Sequence, residues 1–148
     1  MTVRVERAFE LDAPPATVWS FIADPGKRAE PISVVERHDV GDDGAATWHL
    51  SLPIPLVNRT VAVETTETDR EDPRYVRFVG RSSVMRVVGE HELDPLDGGD
   101  RTRLTNRFVV DGRLPGVEGF FERNFEAELD NLEDAIRAEL GVCPRDPD

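Results

Sequence analysis

Cysteine is almost missing from this 148-residue chain, where Cys143, in the closing "GVCPRDPD", stands alone. One thiol can form neither an internal disulfide nor a cysteine-based zinc site, so both are excluded. Lysine is equally scarce, with Lys27 as its single instance, and 18 Lys and Arg face 30 Asp and Glu for a net charge of −12. Such a surface repels nucleic-acid phosphates and anionic headgroups, so no nucleic-acid partner and no bulk membrane partner are expected. The acidity reads as a solubility device of the kind a salt-rich cytoplasm favours. No apolar run approaches the roughly 18 residues of a membrane span. The opening "MTVRVERAFEL" alternates where a signal peptide would carry a basic stretch and an apolar block. The expectation is a cytoplasmic protein with no integral membrane association.

Motifs for covalent, nucleotide and metal chemistry are missing too. Ser20, Ser33, Ser51, Ser82 and Ser83 lack a glycine-elbow context, and Cys143 lies in the tail. The glycines of "DGGD" join two strands and do not open a helix, so no phosphate loop is present. His38 and His49 have no carboxylate at a metal-ligand spacing. Neither a cofactor nor a metal is implied.

What is present is patterned. Residues 3–11 alternate, with Val3, Val5, Phe9 and Leu11 on one face, which is a half-buried strand. In "DAPPATVWSFIADPG", Asp12 is placed to cap, prolines suit a first helical turn, and Val18, Trp19 and Ile22 recur at helical spacing. "KRAEP" reads as a second helical turn. Six strand-like runs follow: "ISVVERHDV", "AATWHLSL", "RTVAVETTET", "YVRFVG", "VMRVVGEHEL" and "RTRLTNRFVV". Beyond Gly112, Val117, Phe121, Phe125, Leu129, Leu132, Ile136 and Leu140 recur at spacings of three and four, which predicts a long amphipathic helix closed by Gly141. The fold class is α+β: a curved antiparallel sheet of about seven strands, in the order β-α-α-β6-α, wrapped on the C-terminal helix. Residues 1–141 form one domain and 142–148 a short tail.

This order, with "FELDAPPATVWSFIADP" joining the first strand to the first helices and "PGVEGFFERNFEAELDNLEDAI" as the closing helix, resembles the START-like (SRPBCC) helix-grip superfamily. Its members include polyketide cyclase/dehydrase proteins, lipid-transport domains and Bet v 1-like proteins. The resemblance spans about Val3 to Leu140. It implies a large, mostly apolar cavity between sheet and final helix that holds a hydrophobic or amphipathic small molecule.

Strand alternation supplies the inward inventory. Trp48, Leu50, Leu52, Val61, Val63, Val76 and Phe78 face inward, as do Met85, Val87, Leu93, Leu104, Phe108 and Val110, with Phe121 and Phe125 from the helix. About half are expected to line a cavity and half to pack. Four polar residues share that register: Arg7, Arg59, His91 and Asn106. On the helix, Glu128 lies beside Phe125, and Asn124 lies at the margin of the stripe. These polar groups either satisfy one another, for example Arg7 or Arg59 with Glu128, or orient a ligand. The expected binding set is Trp48, Leu50, Leu52, Leu56, Arg59, Val63, Phe78, Val87, His91, Asn106, Phe108, Phe121, Phe125 and Glu128, with no catalytic residue assigned.

Three functions are compatible with this reading. The first is a carrier or binding protein for a lipid, isoprenoid quinone or polyketide-like compound, as a monomer or weak homodimer. The second is a cofactor-independent cyclase, aromatase or dehydratase that uses His91 with Glu128, or a carbonyl polarised by Arg59 and Asn106. The third is a protein-interaction module. The apolar turn "SLPIPLVNRTV", stiffened by Pro53 and Pro55 and carrying Ile54, Leu56 and Val57, is expected to rim or gate the cavity mouth.

Overall fold

The computed structural model describes residues 2–41, 45–53 and 60–141. Strand β1 (Thr2–Leu11) leads to helices α1 (Pro15–Ile22) and α2 (Pro25–Ala29). Then come β2 (Val35–Val40), β3 (Ala46–Leu50), β4 (Val61–Glu71), β5 (Tyr75–Arg81), β6 (Met85–Leu96) and β7 (Arg101–Gly112), and helix α3 (Val117–Leu140) closes the chain. The strands form one antiparallel seven-stranded sheet in the order β1-β7-β6-β5-β4-β3-β2. It is the START-like helix-grip arrangement: a curved sheet gripping a long C-terminal helix. Gly141 closes α3 in the left-handed conformation (φ 68°), which glycine adopts without steric cost.

The starts of α1 and β2 differ from the sequence expectation, and β4 and β6 run three residues past it, to Glu71 and Leu96. Asp12 does not cap α1, because Pro14 and Pro15 take the cap and first helical positions and start the helix beyond its reach. Its carboxylate accepts instead from Arg101 Nε at 2.6 Å. The capping aspartate is Asp24, which accepts from the amides of Gly26 (2.8 Å) and Lys27 (3.3 Å), so Asp24-Pro25-Gly26 ends one helix and starts the next. Strand β2 begins at Val35, three residues after the apolar run does, because Ile32 and Val35 bond back to Ala29 and Ile32 in successive turns.

Alternation divides the charges as it divides the apolar groups. On the solvent face of the sheet Arg107 meets Glu6 and Glu92, Arg103 meets Glu10, and Arg101 meets Asp12. On the inner face the apolar residues fall into two clusters. One gathers Leu11, Val18, Ile22, Val76, Leu93, Leu104, Leu132 and Ile136 where α1 covers the sheet. The other gathers Trp48, Leu50, Phe78, Val87, Val110, Phe121 and Phe125 under the N-terminal half of α3. Between them a polar row crosses three strands, since Arg7, Asn106 and His91 are register partners on β1, β7 and β6.

Candidate ligand cavity

Under the N-terminal half of α3, sheet and helix stand apart over about 720 Å3 of atom-free space continuous with solvent, of which the centre of a water-sized sphere can occupy about 60 Å3. That is room for several waters, since one needs only about 10–15 Å3 by this measure. The sheet contributes Trp48, Leu50, Phe78, Met85, Val87, His91, Phe108 and Val110. Helix α3 adds Phe121, Phe125, Glu128, Leu129 and Leu132, while α2 and the turn after it add Arg28, Ile32 and Val34.

The floor is aromatic because a glycine permits it. Gly89 pairs with Phe78 on one side and Phe108 on the other, and a Cβ there would lie 2.4 Å from the Phe78 ring and 3.0 Å from Phe108. Without one, both rings cross β6, with centroids 6.4 Å apart in an edge-to-face arrangement. Trp48 packs on Phe78 at 5.6 Å, and Phe108 stacks on Phe125 of the helix at 5.7 Å.

Four polar groups interrupt this lining or stand behind it. His91, 1 % exposed, shares a 2.6 Å hydrogen bond between its Nδ1 and Asn106 Oδ1, and Asn106 is fully buried. An amide oxygen only accepts, so Nδ1 carries the hydrogen and Nε2 is a bare acceptor. Burial, reinforced by the positive charge of Arg28 and opposed by the Asn106 bond, brings the His91 pKa down to about 3, which keeps the ring neutral at physiological pH. Arg28 enters from α2, donates to the Ile22 carbonyl (2.7 Å) and to Glu67 (3.1 Å), and lies over the Phe78 ring at 5.3 Å. Burial pulls its pKa below the ordinary value while Glu67 pulls it back up. Glu128 accepts from the Ser33 amide (2.8 Å) and hydroxyl (2.5 Å), which ties the turn after α2 to the helix beside the cavity.

Of the residues expected from sequence, Trp48, Leu50, Phe78, Val87, His91, Phe108, Phe121, Phe125 and Glu128 meet at the cavity. Leu52 and Val63 are buried in the surrounding core and are not among its lining, and Asn106 stands behind His91. Leu56 and Arg59, with the expected gate of Ile54 and Val57, lie outside the described residues. Arg7 does not reach Glu128; it pairs with Glu126 and Asp130, which α3 turns toward β1. Asn124 donates to the Phe120 carbonyl, one turn back on its own helix.

Sequence reasoning missed Arg28, Ile32 and Val34. The signal for Arg28 was in β4: Glu67 continues the inward series of Val63 and Thr65, and a carboxylate in that register requires a cation. Ile32 and Val34 were hidden by being read as strand.

The family described as polyketide cyclase / dehydrase and lipid transport matches residues 2–137. No curated protein matches the chain significantly. Among solved structures, a conserved protein from Geobacillus kaustophilus is 17 % identical with a TM-score of 0.75, over 94 % of this chain and 95 % of that one. The Zhui aromatase/cyclase from Streptomyces sp. R1128 is 17 % identical with a TM-score of 0.72, over 95 % and 94 %. A START superfamily protein from Mycobacterium smegmatis is 14 % identical with a TM-score of 0.71, over 93 % and 97 %. At these identities the likeness is one of fold.

Proposed function

Because the chain belongs to the polyketide cyclase / dehydrase and lipid transport family, we propose that it binds one hydrophobic or amphipathic small molecule between sheet and α3, as a carrier or binding protein. The observation that carries this reading is the contrast inside one fold: α1 fills one end of the interior, while a cavity walled almost wholly by apolar side chains opens at the other. Apolar cavities with a few placed polar groups are the usual form of a small-molecule site. The ligand is of the lipid, isoprenoid or polyketide-like class.

A cyclase or dehydratase activity is the second reading, favoured by the family description and by the likeness to an aromatase/cyclase. It gains less from the geometry. His91 bonds to Asn106 and Glu128 to Ser33, so they do not form an acid–base pair. A histidine with a pKa near 3 is also a weak base at neutral pH. An interaction module would need an exposed apolar patch, and among the described residues Val40 is the one exposed large hydrophobic.

Native mass spectrometry of the protein from its source cell, with analysis of its organic extract, tests the reading. One retained hydrophobic molecule per chain is the expected result, and paired substrate and product masses would move the assignment to catalysis. Failure to bind any neutral apolar probe, such as N-phenyl-1-naphthylamine, would overturn it.

A further inference from the structure

Buried polar atoms without partners are uncommon in folded proteins, and each costs enough to need a reason. Among the described residues Arg28 Nε, Trp48 Nε1, His91 Nε2 and Asn106 Nδ2 are buried and have no hydrogen-bond partner. They are not scattered. The Trp48 ring (5.6 Å), the His91 ring (6.1 Å) and the Arg28 guanidinium carbon (5.3 Å) all surround the centroid of Phe78. Asn106 is the register partner of His91 and bonds to its far side. Trp48, His91, Arg28 and Phe78 all line the cavity.

We propose that this cluster is a neutral hydroxyl-recognition subsite: His91 Nε2 accepts the hydrogen of one ligand hydroxyl, whose oxygen accepts in turn from Trp48 Nε1 or Arg28 Nε. The proposal rests on the cavity being a ligand site, and adds the chemistry of the ligand's polar end. Asn106 is the positioning residue. By taking the Nδ1 hydrogen it fixes the tautomer in which Nε2 accepts. A ketone or ether oxygen has no hydrogen for Nε2 and would leave it unpaired. A carboxylate finds little net charge to meet it. Arg28 shares Glu67 (3.1 Å) with Arg70, which also meets Asp72 (3.5 Å), so the two guanidinium groups face two carboxylates, and Glu128 places a third carboxylate at the cavity. The ligand that pairs His91 Nε2, the one acceptor among these atoms, is therefore a neutral, mainly apolar alcohol or phenol.

The test is calorimetric titration at neutral pH with three probes of one shape: 2-naphthol, its methyl ether and 2-naphthoate. The expected order is naphthol tightest, by about tenfold over the ether, the factor that one buried hydrogen bond supplies, with naphthoate weakest. His91→Leu combined with Asn106→Leu should reduce the naphthol preference over the ether to within about twofold. In case that variant does not fold, wild-type protein supplies an independent readout. Naphthol should move the nitrogen resonance of His91 Nε2 in the direction of an accepted hydrogen bond, and the ether should not. Equal binding of naphthol and ether, or tightest binding of naphthoate, overturns the subsite and leaves the cavity reading standing. Binding of none of the three removes the cavity reading and the subsite with it.

Discussion

The two ends of the interior are made from the same sheet and the same helix, yet one is packed and the other is not. At the packed end α1 supplies Val18, Trp19, Phe21 and Ile22 as a third layer, and Leu11, Val76, Leu93, Leu104 and Ile136 close on them with 0–1 % exposure. At the open end the inward positions of β5 and β6 include Gly80 and Gly89, which contribute no side chain, and the Phe78 and Phe108 rings lie across Gly89. The boundary is the row Arg7, Asn106 and His91, whose polar groups belong to neither apolar cluster. Hydrophobicity alone therefore does not say whether a position packs or shapes the cavity: on the open side of that row Leu52 and Val63 are buried in core, while Val87 and Phe108 line the cavity.

The sharpest way to break this division is to truncate one residue on each side. Leu104→Ala, fully buried at the packed end, should cost about 2–5 kcal/mol in urea unfolding. Val87→Ala, whose side chain already borders open space, should cost about 1 kcal/mol or less. Equal losses would show that the open end is packed as tightly as the closed one.

Gly89→Ala tests the floor itself. The new methyl would lie 2.4 Å from the Phe78 ring, so the ring must move into the cavity. A loss of about 1–3 kcal/mol is expected, together with weaker binding of N-phenyl-1-naphthylamine in a fluorescence titration. Unchanged probe affinity would mean that the floor does not contact the probe.

The division was only partly legible in the sequence. Element order was readable because alternation and helical spacing are strong in β1, β4 and α3. The inward faces followed from the same periodicity. Which inward residues line the cavity was not readable, because alternation gives a face and not the distance to whatever covers it; Val63 and Phe78 look alike until α2 and α3 are in place. Arg28 was hidden for a related reason. It sits on a five-residue helix, too short for periodicity to show which side faces in. Glu67, its partner, was the available clue.

Glu128→Gln sharpens the comparison at the cavity's edge. Weakening the bonds to the Ser33 amide and hydroxyl should lower stability by about 1 kcal/mol. It should also speed release of N-phenyl-1-naphthylamine in stopped-flow fluorescence, because the turn carrying Ile32 and Val34 is less firmly tied to α3. An unchanged release rate would remove that turn from the route into the cavity.

The smallest effect is in pH. Because His91 is held neutral with a pKa lowered from 6.5 to about 3, the unfolded state binds a proton that the native state refuses. The resulting stability is present in full above pH 6.5 and is lost as pH falls toward 3. Between pH 7 and pH 6 the wild type should lose roughly 0.5–1 kcal/mol relative to the His91→Leu, Asn106→Leu variant. His38 and His49 are common to both proteins and cancel in the difference. Parallel curves for the two proteins would place His91 in contact with water.

The two tryptophans fall on opposite sides of the boundary, Trp19 in the packed cluster and Trp48 at the cavity, and this permits the most direct test. Trp19→Phe leaves Trp48 as the only indole, and Trp48→Phe leaves Trp19. Titration of each with a neutral brominated naphthalene, whose heavy atom quenches indole fluorescence on contact, reports which end of the interior the molecule enters. Saturable one-to-one quenching of Trp48 with no saturable quenching of Trp19 is the predicted result, and equal quenching of both, or none of Trp48, would contradict the account.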